Sequence, residues 1–243
     1  MPHGPLHYLS FATLEDESGY FIEQYPLFYL PSAAVYGYTI KRREAEKNVR
    51  VLAIGNPDLN NPGLELPFAQ HEVATIGYNF PDITMLSGNK ATESWVTNHI
   101  KDYGIIHLAS HGEFNPINPL FSAVRLTKDQ QADGKLEATE VFGLEINADL
   151  VIISACQSGL GKVTGGDDVI GFNRAFLYAG THAVISSMWR VSDISTAVLM
   201  KHFYRKYATN NKADSLRSAM LHVRNRFPHP GYWGAFLLVG DWE

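Results

Sequence analysis

Two residues of this chain are of types that could do chemistry together, and both stand at the end of an apolar run. The stretch "IIHLAS" (105 to 110) leads into His111 and Gly112, and "LVIISA" (150 to 155) leads into Cys156, the only cysteine of the chain. In an open parallel sheet, reactive groups and ligands gather at the carboxyl ends of the strands, where loops and helix N-termini converge. If the two strands are neighbours, an imidazole and a thiol face each other across that edge. A free thiol titrates near ~8.5, so a nearby imidazole is needed to favour the thiolate at neutral pH. His111 would supply that and then protonate the leaving amine of an acyl transfer. The backbone N–H groups of Gly112 and Cys156 are the expected oxyanion donors, with Ala155 and Gly159 flanking a tight turn. On the local pattern alone, a lone cysteine beside β-branched residues reads first as a small buried hydrophobe, and only the pairing with the His111 strand end reverses that. His107, inside its strand, reads as a core or supporting histidine.

The elements that must position these residues alternate between short β-branched runs and helical patterns, the signature of βα units and a mainly parallel sheet. Strands are predicted at 49–55, 83–87, 105–110, 123–127, 150–155, 183–189 and 235–240. Helices are predicted near 69–79, 91–101, 168–179, 193–208 and 213–226. Thr92 precedes an acidic first turn, and Asp167 or Asp168 could cap the helix that Gly180 stops. The first 40 residues, rich in aromatics and proline, read as a packed extension. The polar segment "TKDQQADGKLEATE" (127 to 140) reads as a surface loop leading into a short helix.

With 243 residues, of which 45% are apolar, the chain can bury a large core and falls within the range of one α/β domain. A net charge of −5 removes the usual electrostatic footprint of a nucleic-acid binder. The basic run "KRREAEK" (41 to 47) alternates with glutamates and reads as a solvated helix face or linker. One cysteine forms no intrachain disulfide, and no signal peptide or membrane-spanning stretch is legible, so the expected compartment is the cytoplasm. The glycines after Cys156 suggest a phosphate loop, but Gly159, Gly161 and Gly165 miss the dinucleotide-binding spacing. "GKV" also lacks the hydroxyl that a nucleotide phosphate loop needs. No cofactor or metal is expected.

The segments "IIHLASHGEFNPINPLFSAVRLT", "DGKLEATEVFGLEINADLVIISACQSGLGKVTGGDDVIGFNRAFLYAGTHAVISSMWRVSD" and "YWGAFLLVGDWE" together closely resemble the CHAT family of caspase-like modules. "PHGPLHYLSF" and "GNPDL" are similar to that family too, so the resemblance spans nearly the whole chain. It implies a caspase-like three-layer sandwich, a mainly parallel central sheet flanked by helices. It also implies a cysteine endopeptidase with His111 as acid and base and Cys156 as nucleophile. Their separation of 45 residues agrees with the roughly 50 of caspases. Two residues, Gln157 and Ser158, stand between Cys156 and Gly159 where the caspase signature has one, so a caspase-type aspartate preference does not carry over.

The resemblance places Asp193, in "RVSD", where the separase segment holds a basic side chain at the P1 position of a substrate, with Asp168 as a second candidate for the S1 pocket. Capping of the helices at 193 and 168 is the competing role for these two residues, and Arg190 would attract an acidic side chain instead. A single CHAT domain over residues 1–243 is expected, lacking an N-terminal strand and the tetratricopeptide-type repeats to which family members are often fused. An excised domain or a short gene product would both fit that start. The expected partners are a protein or peptide substrate and a regulatory repeat-containing partner or attached domain, with no nucleic acid and no membrane. The rival reading is an inactive caspase-like scaffold for protein interaction, since fold alone does not establish chemistry.

Overall fold

The computed structural model describes residues 2, 6, 9–42, 49–113, 115, 117–154, 156, 157 and 166–243. Along the chain, the hairpin of β1 (Glu15–Asp16) and β2 (Gly19–Tyr20) precedes α1 (Phe21–Gln24) and α2 (Ala33–Arg42). Then follow β3 (Val51–Pro57), α3 (Pro67–Ile76), β4 (Ile83–Gly88), α4 (Glu93–His99), β5 (Ile105–Ala109), β6 (His111–Glu113), β7 (Ala123–Arg125), β8 (Lys135–Glu137) and α5 (Ala138–Val141). The chain closes with β9 (Leu150–Ile153), β10 (Cys156–Gln157), α6 (Gly166–Tyr178), β11 (Ala183–Ser187), α7 (Asp193–Tyr207), α8 (Lys212–Arg226) and β12 (Phe236–Gly240).

The central sheet has the order β12-β11-β9-β5-β3-β4 and is parallel except for β12, which runs antiparallel to β11. A strand buried on both faces is apolar at most positions, which is why β3, β5, β9 and β11 read as nearly continuous runs, with His107 in β5 and Ser186 and Ser187 in β11 as buried polar exceptions. Successive side chains go to opposite faces. Val51 and Ala53 of β3 join one core with Val73 of α3, Phe203 of α7 and Met220 of α8. Leu52 and Ile54 join the other with Val96 of α4, Val141 of α5 and Phe176 of α6. Each buried Val, Leu or Ile contributes about 1.5–3 kcal/mol, so the two cores fix the register of every strand. The result is the three-layer α/β sandwich, with α3, α7 and α8 on one face and α4, α5 and α6 on the other.

The N-terminal segment is packed as expected. Ala12 and Ile22 enter the core, and Tyr29 bridges to Val239 beside β12. Several local expectations are corrected. Gly166 opens α6, so Asp167 and Asp168 lie inside its first turn, with their side chains outside the described residues. Gly180, at φ +115°, does end it in the conformation that favours glycine. "TKDQQADGKLEATE" contains a strand, β8, that pairs with β7, as well as the short helix α5. A second sheet of order β10-β6-β7-β8 rises from the carboxyl edge of the first. Of "KRREAEK", Lys41 and Arg42 end α2 and the remainder lies outside the described residues.

A buried charge cluster closes the amino end of the sheet. Asp149, just before β9, accepts from Lys212 Nζ at 2.9 Å and from Tyr207 Oη at 2.6 Å, with His182 Nδ1 at 3.4 Å. Burial pushes the Asp149 carboxyl up, but His182, the Lys212 charge and Tyr207 together hold it well below the usual carboxylate range. This stability is present above the unfolded value of 3.8 and is lost as pH falls through the depressed folded value. Lys212 is fully buried. Lys212→Met, which leaves Asp149 without its cation, is expected to cost about 3–5 kcal/mol in urea unfolding at pH 7.

Glu93, in the first turn of α4, reaches the second sheet. Its Oε2 accepts the backbone N–H of Gly134 at 2.7 Å and of Lys135 at 2.8 Å, tying β8 to the helix. Both bonds go to one oxygen, so the other can hold a proton without breaking either. Burial, then the Glu140 charge, push this carboxyl up to about 7. The folded chain therefore holds more protons than the unfolded one between 4.5 and about 7, and stability falls as pH rises through that window. Glu93→Gln is expected to flatten this part of a pH series of melting temperatures.

Candidate active site

The two expected strand ends are adjacent in space. β5 pairs with β9 in parallel, Leu108 opposite Ile153, and Ser154 N–H donates to Leu108 O at 2.9 Å. Both chains continue past the central sheet and pair again as β6 and β10, with Cys156 opposite His111 and Gln157 opposite Gly112. Neighbouring strands lie about 4.8 Å apart, so the backbones of residues 111 and 156 are direct neighbours. On its other side β6 is held by β7, with Gly112 opposite Val124. Ser110 Oγ donates to Arg125 O. Glu113 bridges Arg125 Nη1 at 2.9 Å and Lys135 Nζ at 3.1 Å. Gly112 thus sits in the middle strand of a ladder. Ala155, Ser158 and Gly159 lie outside the described residues.

The His111 ring is oriented from a third strand end. Its Nε2 lies 2.8 Å from the carbonyl oxygen of Leu64. A carbonyl only accepts, so Nε2 carries the hydrogen and, in the neutral ring, Nδ1 is the basic nitrogen. Leu64 belongs to the connection from β3 to α3. Because β4 and β5 flank β3 on opposite sides, the β3–β5 crevice is the topological switch point of the sheet, where such folds place ligands. The connection is stiffened by its own side chains. Asn56, at φ 52°, accepts the N–H of Leu66 at 2.7 Å, and Asn61 accepts that of Gly63 at 3.0 Å. At Gly55 a Cβ would meet Ala69 O at 2.6 Å, so only glycine lets α3 start this close to β3.

A cleft opens beside His111, bounded by Glu72 of α3, Ser154 after β9, and Arg190, Asp193 and Thr196 around the start of α7. Asp193 is the first residue of α7, whose N-cap position is taken by Ser192. The capping role considered for Asp193 therefore does not apply, and the residue lines the cleft. Asp168 lies in the first turn of α6, and its side chain is outside the described residues. His107 is fully buried, with Nδ1 3.0 Å from Tyr204 Oη and Nε2 2.8 Å from Glu72 Oε1. Burial, then the Glu72 charge, push the Tyr204 hydroxyl well above its ordinary range, so it keeps its proton. Glu72 was not singled out in the sequence. The available signal was a carboxylate within the buried stripe Ala69, Val73 and Ile76 of a helix that follows the first sheet strand. The Leu64 carbonyl, a backbone group, leaves no such signal.

Among the described residues, no group of three or more His, Cys, Asp or Glu could hold a metal ion, and no helix is long and apolar enough to cross a membrane. The sandwich and its strand ends define the class. The fold is that of caspase-like cysteine peptidases, as in separase from Saccharomyces cerevisiae, solved with securin (TM-score 0.66, 14% identity, 96% of this chain and 15% of that one). The Arg-specific cysteine proteinase gingipain R is also similar (TM-score 0.59, 12% identity, 84% of this chain and 50% of that one). The chain belongs to the CHAT domain family, whose model matches residues 1–241. Tetratricopeptide repeat protein 28 of Homo sapiens is 26% identical over 290 aligned positions, covering 98% of this chain, and its Mus musculus counterpart is 25% identical. The chain spans 12% of the length of these two curated relatives.

Asn56→Ala removes both a side-chain acceptor and a residue type that tolerates the left-handed backbone. It is expected to cost about 1–2 kcal/mol, read as a lower urea midpoint at unchanged slope.

Proposed function

We propose that the chain is a cysteine endopeptidase that cleaves a protein substrate through His111 and Cys156. The observation that carries this reading is the β6–β10 ladder, which sets the backbone of the only cysteine opposite that of a histidine at the switch-point edge of the sheet. In this mechanism His111 Nδ1 takes the Cys156 thiol proton, and the sulfur adds to the substrate carbonyl carbon. The oxyanion forms beside the Gly112 and Cys156 backbone. The intermediate collapses as the C–N bond breaks, His111 returns the proton to the leaving amine, and a thioester remains. Water, deprotonated by His111, then releases the acid and restores the thiol. The Leu64 carbonyl keeps the ring in the required tautomer throughout.

Asp193 is the S1 candidate that the geometry favours, because it lines the cleft that His111 lines. It supports a basic residue before the scissile bond, as does the arginine specificity of gingipain R. Regulation by a repeat-containing partner or domain is supported by the repeat named in the curated relatives. That same relationship favours the second reading, an inert scaffold, since the relatives' names carry a repeat and no activity. Peptide acyloxymethyl ketones with basic, acidic or apolar P1 groups distinguish the two, with candidate repeat proteins added. Wild type is expected to be labelled, Cys156→Ala not at all, and His111→Ala about 10²–10⁴-fold more slowly. Equal labelling of all three proteins would leave the scaffold.

A further inference from the structure

The cleft beside His111 has a floor that the proposed dyad does not use. Glu72 is 2% exposed and Thr196 4%, and both line the same cavity of about 30 Å³ from different helices. Thr196 Oγ1 is buried with no hydrogen-bond partner among the described residues. Glu72 Oε1 and His107 Nε2 approach to 2.8 Å, yet their angle makes no hydrogen bond, and both atoms are left short of one. Native interiors rarely tolerate two such groups in one cavity unless something completes them.

We propose that this cavity receives a lysine side chain of a bound peptide, with its ammonium held by Glu72 and Thr196 and with Asp193 nearer the rim. The proposal rests on the reading of the His111 cleft as a peptide site. A carboxylate and a hydroxyl both accept, so they call for a donor, and an ammonium offers three on a compact head. The cavity has room for a group of about that size. A guanidinium is a broad planar fork and calls for a wider site. Arg190 also lines the cleft, but it is exposed, where solvent and salt screen its charge. Glu72 acts from a buried position, where its charge is felt far more strongly. His107, 2.8 Å from Glu72 Oε1, and Tyr204, 3.0 Å from His107 Nδ1, pack behind the carboxylate at the floor.

The test separates binding from turnover. Immobilised Cys156→Ala protein is offered peptide pools randomised around a fixed lysine, arginine, norleucine or glutamate, and retained peptides are counted by mass spectrometry. Lysine is expected to be retained about tenfold or more over norleucine and also over arginine. Adding Glu72→Gln should collapse the lysine preference to within about twofold. Thr196→Val, a near-isosteric change far from the His107 contact, should weaken lysine severalfold and leave norleucine unchanged, and it carries the test if Glu72→Gln melts early. Equal retention of lysine and norleucine, no retention of any pool, or a preference that survives both substitutions would overturn the proposal. Arginine retained as well as lysine would overturn the assignment to an ammonium. If lysine is selected but wild type cleaves nothing, the peptidase reading fails and the pocket stands; cleavage indifferent to the P1 residue gives the reverse.

Discussion

The parallel pairing of β5 with β9 is the constraint on which everything else hangs. Once Ile105, Ile106 and Leu108 are committed to the two cores opposite Leu150, Val151 and Ile153, the register leaves no slack. A slip by one residue would turn every one of these side chains to the wrong core. The chain ends that emerge, β6 and β10, inherit that register and meet with residues 111 and 156 in step. Hydrophobic burial, which carries no chemical information of its own, thus fixes the placement of two polar residues at its rim.

The two ends of the sheet treat buried polar groups differently. At the amino end, Asp149, Lys212 and Tyr207 are fully engaged with one another and with the chain terminus, and they stitch α7 and α8 to the strand that leads to Cys156. At the carboxyl end, Glu72, His107 and Thr196 are buried but incompletely bonded. Thr181, just before β11 at the amino end, also has a buried hydroxyl with no partner among the described residues. What sets the carboxyl end apart is that Glu72 and Thr196 share one cleft with His111.

The large features were legible because they follow from periodicity. The runs at β3, β5, β9, β11 and β12 were found to within two residues, since a doubly buried strand is apolar at most of its positions. Thr92 announced α4 by its side chain, which does accept the N–H of Trp95. The second sheet was largely missed because its strands are two or three residues long, too short for any period to register. β8 hid in a polar segment for the further reason that it is pinned by Glu93, a residue distant in sequence. Asp193 reads as an S1 candidate with capping as its competing role, because acidic residues are common at helix starts; Ser192 occupies the cap position. Glu72 had a signal, a carboxylate within the apolar stripe of α3, but its role depends on the depth of α3 against β3, and the Leu64 carbonyl, a backbone atom, leaves none.

The central claim is that the ladder couples the thiol of residue 156 to the imidazole of residue 111. A single cysteine makes that claim directly measurable, because every alkylated thiol reports the same site. The rate of iodoacetamide modification, followed by intact mass across pH 5 to 10, gives the thiol's midpoint without a substrate or an activating partner. The account predicts a midpoint below the free value of ~8.5 in wild type, rising towards it in His111→Ala. The same midpoint in both proteins would contradict it.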